Sequence, residues 1–235
     1  MQSFKSPIIV ALDDIDLDKL LSLSESLKDY AHSFKLGLEF FSKFGPKGVE
    51  KFTDLGLPIF LDLKLHDIPN TVAKSVTQLC KLNIDMLTIH LSGGASMINA
   101  AIEARDAGNK NVKLLGVSVL TSLDDDDLIE IGSRFSSYDQ VHNLVNIADK
   151  CRLDAVVCSA LEVESLKIKF PNIKYVTPGI RLSDGNDFAL KKDQKRVMSP
   201  KMAISKGSDF LVIGRPITKA ENPIETCKNI LASIK

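Results

Sequence analysis

Ile59-Phe60-Leu61-Asp62-Leu63-Lys64-Leu65-His66-Asp67-Ile68-Pro69-Asn70-Thr71 reads as an apolar strand that runs directly into the start of a helix. Asp62, Lys64 and His66 alternate with Leu61, Leu63 and Leu65, so a two-residue period sends the polar side chains to one face and the leucines to the other. On an antiparallel sheet that polar face would simply meet water. Strand followed by helix, repeated along the chain, instead implies a parallel sheet covered on both faces. A carboxylate and an ammonium two residues apart in such a strand are costly to bury unless paired, which marks the stretch as a candidate site.

The same unit recurs on either side. Eight β-like runs can be traced, at 7–13, 34–39, 59–65, 86–91, 114–121, 155–160, 174–180 and 210–216. Between them, 16–30 repeats Leu at helical spacing, and 70–82 opens on Asn70 as a capping residue and carries Val72, Val76, Leu79 and Leu82 on one stripe. Segments 96–107 and 138–150 are similar. Eight strand-helix units in 235 residues predict one (β/α)8 TIM barrel spanning 1–235 as a single domain. A doubly wound open sheet would use fewer strands and normally a Gly-rich first turn, which this chain lacks. After the seventh run, 182–197 is the least structured stretch, rich in Ser, Asp, Gly, Asn and Lys; a loop that long in a barrel is usually functional or disordered. The acidic run Asp124 to Asp127 reads as a helix start, with Ser122 and Asp125 forming a capping box.

Composition narrows the function classes. Lys plus Arg and Asp plus Glu are both 30, so the chain lacks the basic surplus that nucleic acid or an anionic membrane calls for. No apolar run approaches the roughly 20 residues of a membrane span. Gln2 to Pro7 does not resemble a signal peptide, because the first strand begins at once. Cys80, Cys151, Cys158 and Cys227 lack C-x-x-C spacing and read as reduced thiols. A cytoplasmic protein is the expectation.

Within a barrel, alternation places more charge inside. Ile9, Ala11 and Asp13 share one face of the first strand, and Ser33, Lys35 and Gly37 one face of the second. Asp13, Lys35, Asp62 and Lys64 then converge from three adjacent strands near the mouth, where sites of this fold lie. Two acids alternating with two bases make a neutral hydrogen-bonded chain that tolerates desolvation; a purely structural ion-pair network would show the same pattern. Nearby carboxylates favour the ammonium form of Lys64, which suits a cation and proton donor rather than an amine nucleophile. At the ends of the seventh and eighth strands stand Pro178-Gly179-Ile180-Arg181 and Gly214-Arg215-Pro216. Loops there frequently hold phosphate: glycine lets backbone N–H groups approach it, a guanidinium matches its oxygens as a fork, and a helix N-terminus follows Gly214. Gly179 alone would equally suit a turn. His66 and His90 end neighbouring strands but lack a third ligand of suitable spacing, so they read as structural histidines and no metal is expected. Lys191, Lys192, Lys195 and Arg196 read as a solvated loop surface.

D-x-K-x-x-D over Asp62, Lys64 and Asp67, followed by Ile68-Pro69-Asn70-Thr71, resembles the catalytic strand of the orotidine 5'-phosphate decarboxylase family. Ala11-Leu12-Asp13, Lys35-Leu36-Gly37, Leu120-Thr121-Ser122, Thr177 to Arg181, Asp193-Gln194-Lys195-Arg196 and Ile213-Gly214-Arg215-Pro216 agree and run in the family's order. The resemblance implies cofactor-free conversion of orotidine 5'-phosphate to UMP and CO2, the last step of de novo UMP synthesis. It implies that Lys64 stabilises and protonates C6, with Asp62 against the substrate carboxylate in a positioning and electrostatic role. The residue matching Asp67 reaches across a dimer interface in the family, which implies a homodimer with shared sites. Asp13 and Lys35 match residues that hold the ribose hydroxyls, and Thr71 a ribose contact from the partner, with Ile68 beside it among the substrate-binding positions. Thr121 matches a contact near the pyrimidine. Arg181, Gly214 and Arg215 match the phosphate end, and Gln194 matches a residue that in the family joins phosphate to pyrimidine as its loop closes. Two other readings are a metal-dependent sugar-phosphate enzyme that shares D-x-K-x-x-D, working through an Mg2+-held enediolate, and a catalytically silent nucleotide sensor.

Overall fold

A computed structural model describes residues 6–14, 16–182 and 197–234. The strands are β1 (Ile8–Leu12), β2 (Ser33–Leu36), β3 (Ile59–Leu65), β4 (Met86–His90), β5 (Lys113–Val117), β6 (Ala155–Val157), β7 (Lys174–Thr177) and β8 (Phe210–Ile213). They pair in parallel and in chain order, and β8 returns to β1 through Ile9 opposite Val212, closing the barrel. Around it run α1 (Leu17–Leu27), α2 (Leu38–Thr53), α3 (Pro69–Leu79), α4 (Gly94–Gly108) and α5 (Asp125–Glu130). The second half adds α6 (Ser137–Lys150), α7 (Ala160–Lys169), α8 (Pro200–Ser205), α9 (Arg215–Thr218) and α10 (Pro223–Ser233). The expected (β/α)8 barrel is the fold.

Alternation along each strand separates two cores. Outward side chains such as Ile8, Val10, Phe34, Ile59, Leu61, Leu87 and Ile89 pack with the apolar stripes of the helices. Inward ones, Ile9, Phe60, Met86, Leu115, Ala155, Val176 and Val212, fill the barrel interior as a second cluster, so the lumen is packed rather than a pore. α3 shows the matching helical logic: Pro69 at its first turn presets the backbone, and Val72, Val76 and Leu79 are buried along one stripe. In α2, Gly45 at φ 58° followed by Pro46 breaks the helix into two halves.

The N-terminal face of the barrel is held by one repeated device. The carboxylates of Asp85, Asp154 and Asp209 accept from the backbone N–H of Ile59, Leu114 and Tyr175, at 2.8, 3.0 and 2.9 Å. Asp154 also takes Arg105 at 2.6 Å, and Asp209 takes Lys174 at 2.8 Å and Lys167 at 3.1 Å. Burial pushes Asp209 up, but its hydrogen bonds from Lys174, Tyr175 N–H and Lys167 outweigh this and hold it below the usual carboxylate range. Charge at this end therefore secures the fold, leaving the opposite end for chemistry.

Three sequence expectations need correction. Several β-like runs overshoot at their C-terminal ends: β5 stops at Val117 rather than 121, β6 at Val157 rather than 160, and β7 at Thr177 rather than 180. The apolar residues continue because Val119, Leu120, Cys158 and Ile180 line the cavity at the mouth, beyond the last ladder pairs. The capping box lies two residues further on, with Asp124 accepting from Asp127 N–H at 3.1 Å and Asp127 from Asp124 N–H at 2.9 Å. Asn70 is not the cap of α3 either; that position is Ile68, which has no side chain able to accept, and Pro69 supplies the start signal.

Candidate active site

The C-terminal mouth opens into a cavity of about 270 Å³. On one side a line of alternating charge crosses it from β1 to β3. Asp13 lies 3.8 Å from Lys35 Nζ, Lys35 Nζ 3.5 Å from Asp62, and Asp62 2.9 Å from Lys64 Nζ. Asp62 is 9% exposed. Burial pushes its carboxyl up, but the charges of Lys35 and Lys64, with hydrogen bonds from Lys64 and Thr88, outweigh that and keep it below the usual carboxylate range. Asp62 is thus a fixed anion that anchors two ammonium groups. Lys64, facing the cavity, is the more exposed of the two lysines.

The backbone that presents Lys64 is unusual. Leu61 pairs with Leu87 and Leu65 with Ile89, so four steps along β3 span two steps along β4. The extra residues gather into a bulge, and Lys64 sits at φ 51°, in the left-handed region. For a residue with a Cβ this costs about 1–3 kcal/mol and persists only where the surroundings impose it. The Lys64 N–H donates to Thr88 Oγ1 at 2.8 Å, and the same hydroxyl donates to Asp62 Oδ1 at 3.0 Å. Thr88 is a site residue that sequence pattern alone does not single out. Its only sequence signal is parity, since it shares the inward face of β4 with Met86.

Across the cavity stand the apolar Val117, Val119, Leu120, Val157 and Ile180, with Thr121 beside them. Arg181, Gly214 and Arg215 complete the lining at the ends of β7 and β8. Gly179 has φ 77°, a conformation that favours glycine. A Cβ on Gly214 would fall 3.1 Å from Asp13 Oδ2, so the missing side chain lets the end of β8 lie against the carboxylate. Gly179 O accepts from Met198 N–H and Met198 O from Arg181 N–H, both at 3.0 Å, which ties together the two chain segments that flank 182–197.

The structure thus brings together Asp13, Lys35, Asp62, Lys64, Thr121, Arg181, Gly214 and Arg215. It leaves Asp67, Ile68 and Thr71 exposed at the start of α3, outside the lining of that cavity, with Asp67 accepting from Ile68 N–H at 2.7 Å. Gln194 lies outside the described residues. His66 lies past the end of β3, exposed and outside the lining of the cavity, and its ring packs on that of His90 with centroids 5.4 Å apart. Among the described residues no three His, Cys, Asp or Glu side chains converge as a metal-binding group.

The model of the orotidine 5'-phosphate decarboxylase / HUMPS family matches residues 6–230. The chain belongs to that family. Among its relatives, the orotidine 5'-phosphate decarboxylase of Ehrlichia canis (strain Jake) is 49% identical over 97% of this chain and 98% of the relative. That of Wolbachia pipientis subsp. Culex pipiens (strain wPip) is 45% identical over 97% and 99%. The crystal structure of orotidine 5'-phosphate decarboxylase from Lactobacillus acidophilus superposes with a TM-score of 0.84 at 38% identity, covering 98% of this chain and 99% of that one. Family membership therefore spans the charged strand, the apolar wall and both arginine-bearing loops.

Proposed function

We propose that this chain decarboxylates orotidine 5'-phosphate to UMP and CO2, the last step of de novo UMP synthesis, without a cofactor. The observation that supports it most is the alternating line Asp13, Lys35, Asp62, Lys64 in one cavity with Arg181 and Arg215. Loss of CO2 from C6 of the pyrimidine leaves an electron pair in an sp2 orbital on that carbon. The Lys64 ammonium, held against Asp62, stabilises the developing charge through space and then delivers its proton to C6, giving UMP. Asp62 lies against the departing carboxylate and fixes the lysine. Asp13 and Lys35 hold the ribose hydroxyls, Thr121 and the apolar wall face the pyrimidine, and Arg181, Gly214 and Arg215 take the phosphate. Gln194 is assigned the link from phosphate to pyrimidine.

Asp67, Ile68 and Thr71 are assigned to the neighbouring site of a homodimer. Their exposed position at the start of α3 fits that role, since groups that complete a partner's site must be accessible on their own protomer. The metal-dependent reading is less well supported, because the oxygens of Asp62 already meet Lys35, Lys64 and Thr88. No described helix is long and apolar enough to cross a membrane. Cytoplasmic residence fits the four cysteines, none of which is in a disulfide.

Arg215→Ala tests whether the substrate is a nucleoside monophosphate. A partly shielded, charge-assisted phosphate contact is worth about 3–4 kcal/mol of transition-state binding, so kcat/KM for orotidine 5'-phosphate should fall about 10²–10³-fold. The phosphate does not react, so its binding energy reaches C6 only by ordering the site. For orotidine, which lacks phosphate, the substitution should change kcat/KM little, and guanidinium ion in solution should restore part of the loss. Equal losses for both substrates would make Arg215 a support of the fold and place the phosphate elsewhere.

A further inference from the structure

We propose that Thr88 is a positioning residue for Lys64, fixing both ends of the catalytic lysine through one hydroxyl. Thr88 is fully buried on β4. A hydroxyl has one proton and two acceptor sites. At Thr88 the roles are settled by the neighbours: the Lys64 N–H can only donate, and the ionised Asp62 can only accept. Oγ1 therefore accepts from Lys64 N–H at 2.8 Å and gives its proton to Asp62 Oδ1 at 3.0 Å. Asp62 Oδ2 in turn accepts from Lys64 Nζ at 2.9 Å. The result is a closed ring: Lys64 backbone, Thr88 hydroxyl, Asp62 carboxylate, Lys64 ammonium.

The ring accounts for two otherwise costly features. In the bulge between Leu61 and Leu65 the ladder to β4 loses its register, and the Thr88 hydroxyl satisfies a backbone donor that sits there. Lys64 also holds φ 51°, which the N–H to Thr88 bond helps impose. Neither bond touches substrate. Their joint effect is to aim the side chain into the cavity at a fixed height above Asp62. Misplacing a reacting group by about 1 Å can cost about 10²-fold, so the hydroxyl is worth far more to the reaction than to binding.

The inference rests on the decarboxylase reading, and the test separates the two. Thr88→Val keeps shape and removes the hydroxyl; Thr88→Ala removes it with less bulk, so that a folding defect in one still leaves the comparison; Thr88→Ser keeps it. Three quantities are measured on each: kcat for orotidine 5'-phosphate, affinity for UMP, and amide hydrogen exchange at Lys64. Val and Ala should lower kcat about 10–10²-fold while UMP affinity changes less than about threefold, and Ser should stay within about threefold of wild type. Exchange at the Lys64 amide should be slow in wild type and Ser, and at least about tenfold faster in Val and Ala. Unchanged kcat without the hydroxyl, a Ser variant as impaired as Val, or UMP affinity falling in step with kcat would each overturn the positioning role. Should the wild-type protein leave orotidine 5'-phosphate intact, the decarboxylase reading falls, and the exchange rates alone still decide whether Thr88 holds Lys64.

Discussion

Lys64→Ala is expected to keep the barrel and lose the reaction. Lys64 is not part of the packed interior, and Asp62 retains Lys35 at 3.5 Å and the Thr88 hydroxyl at 3.0 Å when the second ammonium is removed. Folding and UMP binding should therefore survive, as thermal unfolding and calorimetric titration would show. Catalysis should not survive. Removing one preorganised electrostatic donor typically costs about 10²–10³ in kcat, and here the cation beside C6 and the proton donor disappear together, so the loss should exceed that range. A loss below about tenfold would remove Lys64 from the centre of the mechanism.

Mixing two inactive variants should restore activity. Asp67 is exposed at the lip of the barrel and lies outside the lining of the cavity that holds Lys64. If it serves the neighbouring protomer, Asp67→Ala alone is inactive, yet a hybrid dimer with Lys64→Ala contains one site lacking both residues and one complete site. With equal mixing and full exchange, half the dimers are hybrids, and activity should reach about a quarter of wild type. Recovery should follow the rate of subunit exchange. No recovery after exchange has been demonstrated, for instance by native mass spectrometry of differently tagged chains, would place Asp67 in its own protomer's chemistry or outside catalysis.

The sequence carried much of this arrangement because a parallel barrel writes itself as period two. The bounds of β3 follow from Ile59 to Leu65 alone, and the inward row of Asp62 and Lys64 follows with them. The bulge is invisible at that level. It places four steps of β3 against two of β4, an even excess, so Leu61 and Leu65 still face outward as a regular strand would have them. Nothing in Leu63-Lys64-Leu65 signals a positive φ. Thr88 is hidden for a related reason: a threonine in a buried strand suits the pleat by its β-branched shape, and only three-dimensional pairing shows that its hydroxyl meets Lys64 and Asp62. The overshoot of β5, β6 and β7 has the opposite origin. Apolar residues that wall a binding cavity look, in sequence, like more strand. Four consecutive acids offer several equivalent capping partners for the helix start, and only the folded chain shows Asp124 and Asp127 as the reciprocal pair.

In the proposed reaction Lys64 and its carboxylate neighbour remove CO2 from orotidine 5'-phosphate with no metal. The most direct measurement is turnover of that substrate by the purified protein in excess EDTA, followed by loss of its ultraviolet absorbance and by quantifying UMP and CO2. Absorbance should fall at the same rate with and without chelator, and the two products should appear one to one. No consumption of the substrate, or consumption that EDTA abolishes and added Mg2+ restores, would contradict the claim.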